Sequence, residues 1–472
     1  MDMKKEPIKS ANIAIRFSAF AERWFPDAFV FVALAVVLVA LAAIGNGAPA
    51  TAVFKTFGDG FWSLITFTLQ MSVMVLAGHV IALSRPMQVL IEWLASKPRT
   101  GAGAIAMIAS ATMIVSFASW AMSLIVGGLL ARACARRNDL VMDYRAAGAA
   151  GNLGMGATWA LGLSSSAAQL QANPASLPKN IFDITGIIPL TDTIFLWQSM
   201  AMAAIIFAVT VTTAYLSAPS AEHSRTAKML GVDVHDKPVA SSKPATPGEW
   251  LEWSPLLTLA LSVLAVGWLV QELAHGDLLR VISSLNTYNF IFLMVGLLLH
   301  WRPRLFLNAV SNAVPATGAI MVQFPFYGAV AAILTLARNA DGLSVADQIA
   351  HAFVTLSTQN TYPLVMGAYS AILGLLIPSG GGKWILEAPY VMQAAISLKV
   401  NLGWTVQIYN AAEALPNLIN PFFMLPLLSI LGLKARDIVG FTFVQFLVNT
   451  PLVLFLLWAF AKTLPYVPPV LP

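Results

Sequence analysis

The chain has 472 residues, 58% of them hydrophobic and 10% charged, with a formal net charge of +5. A soluble domain carries about 25% charged residues, so these proportions exclude a soluble globular protein and point to a polytopic helical membrane protein. No run of Lys and Arg is long enough for nucleic acid. The single Cys134 excludes an internal disulfide, and the lack of CxxC and HExxH patterns leaves a metal enzyme without support.

Residues 1–27 carry Lys4, Lys5, Lys9, Arg16 and Arg23 without a small-residue cleavage site. They read as a cytoplasmic amphipathic N-terminus and not a cleaved signal. The first span is predicted over 28–44 and the second over 61–83, with Gln70 and His79 inside it. A basic loop follows, holding Arg85, Lys97 and Arg99. Residues 101–135 are apolar but interrupted by Ser116-Phe117-Ala118-Ser119-Trp120, and Arg132, Arg136, Arg137 and Arg145 mark the next basic loop. Residues 146–171 are rich in Gly, Ser and Asn, a poor lipid-facing helix, and 191–216 is a clean span.

Residues 217–250 are charged and proline-containing, a cytoplasmic linker. A connecting helix over 251–273 and a shorter span over 288–300 follow, then the basic turn Trp301-Arg302-Pro303-Arg304. A span over 309–337 holds Gln323 and Pro325, and 345–355 is an amphipathic piece. Residues 361–398 are interrupted by Pro378-Ser379-Gly380-Gly381-Gly382-Lys383-Trp384. Three glycines after a proline do not continue a helix, and hydrocarbon does not tolerate unpaired backbone. This interruption is expected to face protein or a watery cavity. A polar-studded segment over 404–431 and a last span over 438–461 complete the chain.

Placing all basic loops in the cytoplasm requires 101–135 and 361–398 to be re-entrant hairpins. That gives about nine crossings plus two hairpins, with the N-terminus inside and the C-terminus outside; the alternative has the hairpin arms cross as ordinary helices. Tyr144-Arg145-Ala146-Ala147-Gly148-Ala149-Ala150-Gly151-Asn152-Leu153 aligns without a gap on Tyr409-Asn410-Ala411-Ala412-Glu413-Ala414-Leu415-Pro416-Asn417-Leu418. Each copy follows an interrupted hairpin. The expected architecture is therefore all-α, with two inverted repeats over 28–216 and 274–472, each holding a re-entrant hairpin and a broken transmembrane helix.

Further motifs are Trp24-Phe25-Pro26-Asp27, Gly58-Asp59-Gly60-Phe61-Trp62, Val322-Gln323-Phe324-Pro325-Phe326-Tyr327 and Asn420-Pro421-Phe422. With Pro378-Ser379-Gly380-Gly381-Gly382 and Trp384, they resemble the short-chain fatty acid transporter family, the acetoacetate/butyrate-type carriers, over nearly the whole chain. The resemblance implies a bacterial inner-membrane, multi-pass carrier that takes up short monocarboxylates by a proton or sodium gradient, and no enzyme. Lys383 sits at the variable position of the glycine motif.

Expected substrate-binding residues are Ser379, Gly380, Gly381 and Gly382 as an anion nest, Lys383 as a counter-charge, and Trp384 as a wall of the acyl pocket. Ser116, Ser119 and Trp120 are their counterparts on the other hairpin. Asn152, Asn417 and Asn420, on the broken helices, suit the substrate or a sodium ion near Asn152 and Asn417. Glu413, a carboxylate in an apolar segment, is a candidate for proton coupling or for pairing with Lys383, and Glu387 is read as near the surface. No cofactor is expected beyond a coupling Na+ or H+. The expected partners are a small carboxylate and the bilayer, and self-association into a homo-oligomer is compatible with the sequence. A dicarboxylate carrier is the alternative, and a channel ranks behind it.

Overall fold

A computed structural model describes residues 28–63, 65–172, 177, 179–235, 244–275, 281, 285–345, 347–348, 355–376 and 380–470. The expected N-terminal segment, most of the amphipathic piece near 345–355, and Pro378 and Ser379 lie outside them. The regular secondary structure of the described residues is helical apart from one isolated bridge between Arg338 and Ser344. Its helices are α1 (Ala28–Gly45), α2 (Ala50–Phe61), α3 (Ile65–Ala82), α4 (Arg85–Ala95), α5 (Gly101–Ala118), α6 (Trp120–Ala135), α7 (Tyr144–Asn152), α8 (Ala157–Ala160), α9 (Ser166–Ala172) and α10 (Lys179–Thr185). Then come α11 (Trp197–Leu216), α12 (Pro247–Trp253), α13 (Pro255–His275), α14 (Leu285–His300), α15 (Pro303–Leu336), α16 (Tyr362–Leu376), α17 (Gly380–Ser397), α18 (Leu402–Glu413), α19 (Pro421–Leu431) and α20 (Ala435–Ala461). Six helical segments among the described residues are long and apolar enough to cross a membrane. Shorter apolar helices, α6 and α16 among them, accompany these.

Four boundaries differ from the sequence reading, each for a physical reason. The second span begins at Ile65, because Ala50–Phe61 is a separate amphipathic helix that buries Val53 and Gly60. Its polar face, with the Lys55–Asp59 ion pair, reads as loop when only apolar runs are counted. The basic loop after α3 opens as α4, bent 69° from α3. Pro86 sits in its first turn, where a missing N–H costs nothing. α15 starts earlier than 309, at Pro303, and runs through Pro315 and Pro325 for 34 residues. The three glycines at 380–382 begin a helix and do not break one. First-turn N–H groups have no intrahelical partner in any helix, so glycine there costs less than in a helix interior.

Two groups of helices emerge. α15 packs along α1, α2 and α3, with α14 beside α3 and α13 beside α14. The second group holds both interrupted hairpins and both broken segments. In its first half, α5 and α6 fold against each other, α7 packs on both, and α11 lies along α5. In its second half, α16 and α17 flank α18, and α20 lies along α16. The halves interlock: α19 packs against α6, α9 and α10 pack against α17, and α11 packs against α20. Close approach of α6 and α7 depends on small residues, since a Cβ on Gly127 would lie 2.8 Å from Gly151 Cα.

The segment after α11 is more ordered than a solvated linker. Ser224, Ala227 and Val234 are buried. The Arg225 N–H donates to Asp143 Oδ2 at 3.0 Å, and the Arg225 carbonyl accepts from the Tyr144 N–H at 2.9 Å. Asp143 also caps α7 and pairs with the buried Arg145 at 2.9 Å. Apolar side chains spaced among the charges, at 227 and 234, give this segment its seat.

Candidate functional site

The two broken segments cross at their breaks. α7 ends at Asn152 and is followed by a 3-10 turn, Leu153–Met155; α18 ends at Glu413 and is followed by a 3-10 turn, Leu415–Leu418. The turns touch. Asn152 Nδ2 donates to the Asn417 carbonyl at 3.4 Å, and Asn417 Nδ2 donates to the Met155 carbonyl at 3.3 Å. Each asparagine thus braces the opposite break. Both side chains are fully buried, and neither Oδ1 has a hydrogen-bond partner. Two helix C-termini and two free amide oxygens make this crossing rich in oxygen donors.

Each hairpin interruption is tied to a break. Ser116 Oγ lies 3.1 Å from Thr158 Oγ1 and donates to the Met113 carbonyl at 2.8 Å. Ser164 Oγ donates to the Ser116 carbonyl at 2.6 Å, which satisfies the C-terminal end of α5. Ser119 is the N-cap of α6, accepting from the Met122 N–H at 3.2 Å. Trp120 points elsewhere, edge-on to Phe423 at 6.3 Å between ring centres. On the other hairpin, Asn420 Nδ2 reaches the Leu375 carbonyl at 3.5 Å. The Tyr409 hydroxyl donates to the Gly380 carbonyl at 2.7 Å.

Gly380 is a point of close approach. A Cβ there would lie 2.7 Å from Trp159 Cη2 and 3.0 Å from Glu413 Oε1. The indole of Trp159 is anchored by its own N–H, which donates to the Met155 carbonyl at 3.0 Å. Glu413 is 1% exposed, and neither carboxylate oxygen has a hydrogen-bond partner.

Lys383 and Trp384 follow in the second turn of α17, both 0% exposed. Lys383 is not paired with Glu413. Its Nζ lies 3.1 Å from Glu387 Oε1, four residues along, and donates to the Ser370 carbonyl at 2.8 Å. Ser370 Oγ donates to Glu387 Oε2 at 2.8 Å, and the Tyr409 ring sits 4.6 Å from Lys383 Nζ. Glu387 is 0% exposed, against the expectation of a surface position. Trp384 lies 4.7 Å from the Tyr409 ring, and its N–H donates to Gln171 Oε1 at 3.3 Å. Gly381 and Gly382 lie in the first turn of α17; Ser379 is outside the described residues.

Sequence reasoning passed over Tyr409, Ser370 and Gln171 as site residues. Tyr409 lies one turn before Glu413, so the two share a face; that spacing was the available signal. Among the described residues no group of three or more His, Cys, Asp or Glu side chains could hold a metal ion.

The sequence profile of the family described as Short chain fatty acid transporter matches residues 10–460. The chain belongs to the short-chain fatty acid transporter family. A relative from Escherichia coli (strain K12), whose name carries the same description, is 33% identical over 427 residues, covering 89% of this chain and 93% of the relative. A second, from Haemophilus influenzae, is 29% identical over 444 residues, covering 92% of this chain and 96% of the relative. Among solved structures, this family member is similar to MtrF of Neisseria gonorrhoeae, described as illuminating a class of antimetabolite efflux pumps, at TM-score 0.47 and 14% identity, covering 96% of this chain and 98% of that one. It is also similar to the YdaH transporter of Alcanivorax borkumensis, at TM-score 0.45 and 15% identity, covering 92% and 97%. Family membership makes the chain a multi-pass membrane transporter and not an enzyme.

Proposed function

We propose that this family member is a secondary active carrier of short-chain fatty acids or related small monocarboxylates across a bacterial inner membrane, working by alternating access. The observation that carries the reading is the reciprocal brace of Asn152 and Asn417 at the crossing of two broken helices, beside the glycine-rich start of α17. A helix N-terminus favours an anion, and freed carbonyl and amide oxygens favour a cation. A carboxylate and a coupling proton or sodium ion can thus sit side by side, each lowering the desolvation cost of the other.

We read the halves 28–216 and 274–472 as inverted repeats. α5 packs on α7 and α11 in the first half, as α16 packs on α18 and α20 in the second. Each broken segment also packs its later part on the opposite hairpin. The dicarboxylate alternative loses ground, because it needs a second cation in the site and Lys383 is committed to Glu387.

Asn417→Ala tests the site. Labelled-butyrate counterflow in proteoliposomes, with leak measured in protein-free vesicles, is expected to fall roughly tenfold, the loss of about 1–2 kcal/mol from a hydrogen bond made in a buried site. Counterflow equal to wild type would remove the crossing from the substrate path.

A further inference from the structure

A carboxylate without a hydrogen-bond partner lies beside the start of α17. Glu413 is 1% exposed, both oxygens lack a hydrogen-bond partner, and Oε1 would lie 3.0 Å from a Cβ on Gly380. At this point an 18-residue helix presents its first N–H groups and the positive end of its dipole. Glycine at 380 is what lets Trp159 and Glu413 approach that backbone so closely.

We propose that the start of α17 is a one-anion site, holding either the Glu413 carboxylate or the substrate carboxylate but not both, so that each short-chain acid enters together with one proton on Glu413. The proposal rests on the transport reading above and names its coupling ion. In outline, the substrate carboxylate and one proton meet ionised Glu413. The proton forms the Glu413 O–H bond, and that hydroxyl donates to the substrate carboxylate while the helix N–H groups complete its shell. No net charge is carried.

The groups facing Glu413 make this arithmetic. From α17 come Lys383 and Glu387, paired with each other and acting on Glu413 with opposite sign. Tyr409, from the same helix as Glu413, has its hydroxyl committed to Gly380. Tyr369 of α16 and Tyr390 of α17 bond each other at 2.7 Å. α8 brings the uncharged Trp159, and the 3-10 turns bring Asn417 and backbone. α16 carries no charged residue, and those of α20 are Arg436 and Asp437 in its first turn. An ionised Glu413 beside a second carboxylate would therefore face like charge, with Lys383 already paired to Glu387 and no other cation facing it among the described residues, and two such groups do not both ionise at contact.

Proton linkage is the test. Butyrate binding to the purified full chain is measured by titration calorimetry in two buffers of different ionisation enthalpy, each with sodium and with potassium. The expected result is uptake of about one proton per butyrate bound, and a Kd that rises about tenfold per pH unit where Glu413 ionises. Glu413→Gln is expected to take up no proton and to show a Kd independent of pH. Butyrate binding to wild type without proton uptake would overturn the inference alone, as would a sodium requirement with no proton uptake, or undiminished uptake in Glu413→Gln. If wild type binds no butyrate in any buffer, the transport reading itself falls and this inference with it. The wild-type arm decides even where the variant does not fold.

Discussion

Lys383→Met is expected to destabilise the protein by about 3–5 kcal/mol, the cost of leaving one partner of a buried ion pair alone. Lys383 and Glu387 are both 0% exposed, 3.1 Å apart, one helical turn apart on α17. The lysine also donates to the Ser370 carbonyl, and Ser370 Oγ donates back to Glu387, which closes a small ring of polar contacts. Removing the ammonium leaves the Glu387 carboxylate without a counter-charge among Tyr369, Tyr390 and Tyr409. Replacing both charges by methionine removes the imbalance, and such a swap is often neutral. Lys383→Met/Glu387→Met is therefore expected to regain most of the loss, read as the thermal midpoint of the purified protein in detergent. A double variant as unstable as the single one would mean that Lys383 acts on something other than Glu387.

Gly380→Ala is the second large effect. Its Cβ would lie 2.7 Å from Trp159 Cη2 and 3.0 Å from Glu413 Oε1. The Gly380 carbonyl is held by the Tyr409 hydroxyl at 2.7 Å, so the backbone cannot easily withdraw. Overpacking of this kind costs about 1–3 kcal/mol, and here it pushes on the carboxylate proposed to take the coupling proton. Butyrate counterflow is expected to fall by roughly tenfold or more. Trp159→Phe removes the atom in the way, so Gly380→Ala/Trp159→Phe is expected to recover a large part of the rate. A single variant with wild-type counterflow, or a double variant no better than the single one, would contradict this geometry.

The sequence marks Ser119 as a helix boundary but takes the glycines at 380–382 as a break, where the structure has them begin a helix. Asn152 and Asn417, in register in the aligned segments, brace each other's break. Legibility stopped where depth and pairing decide. Lys383 and Glu387 stand four apart in the sequence, a spacing that suits an ion pair on one helix face, yet nothing local says that both lie at 0% exposure. Glu413 and Gly380 are more than thirty positions apart, and only the packing of α17 on α18 joins them. The helices α2 and α4 were hidden because amphipathic surface helices hold charges that imitate loops. The seating of Ala227 and Val234 was hidden because two apolar side chains among charges carry little periodic signal.

The central claim, a carrier of small monocarboxylates, is tested most directly by counterflow in proteoliposomes of the wild-type chain. Vesicles preloaded with unlabelled butyrate are expected to accumulate labelled butyrate transiently above the leak of protein-free vesicles, while preloading with succinate drives no such exchange. Exchange driven by succinate and not by butyrate, or labelled butyrate entering no faster than in protein-free vesicles, would contradict the account.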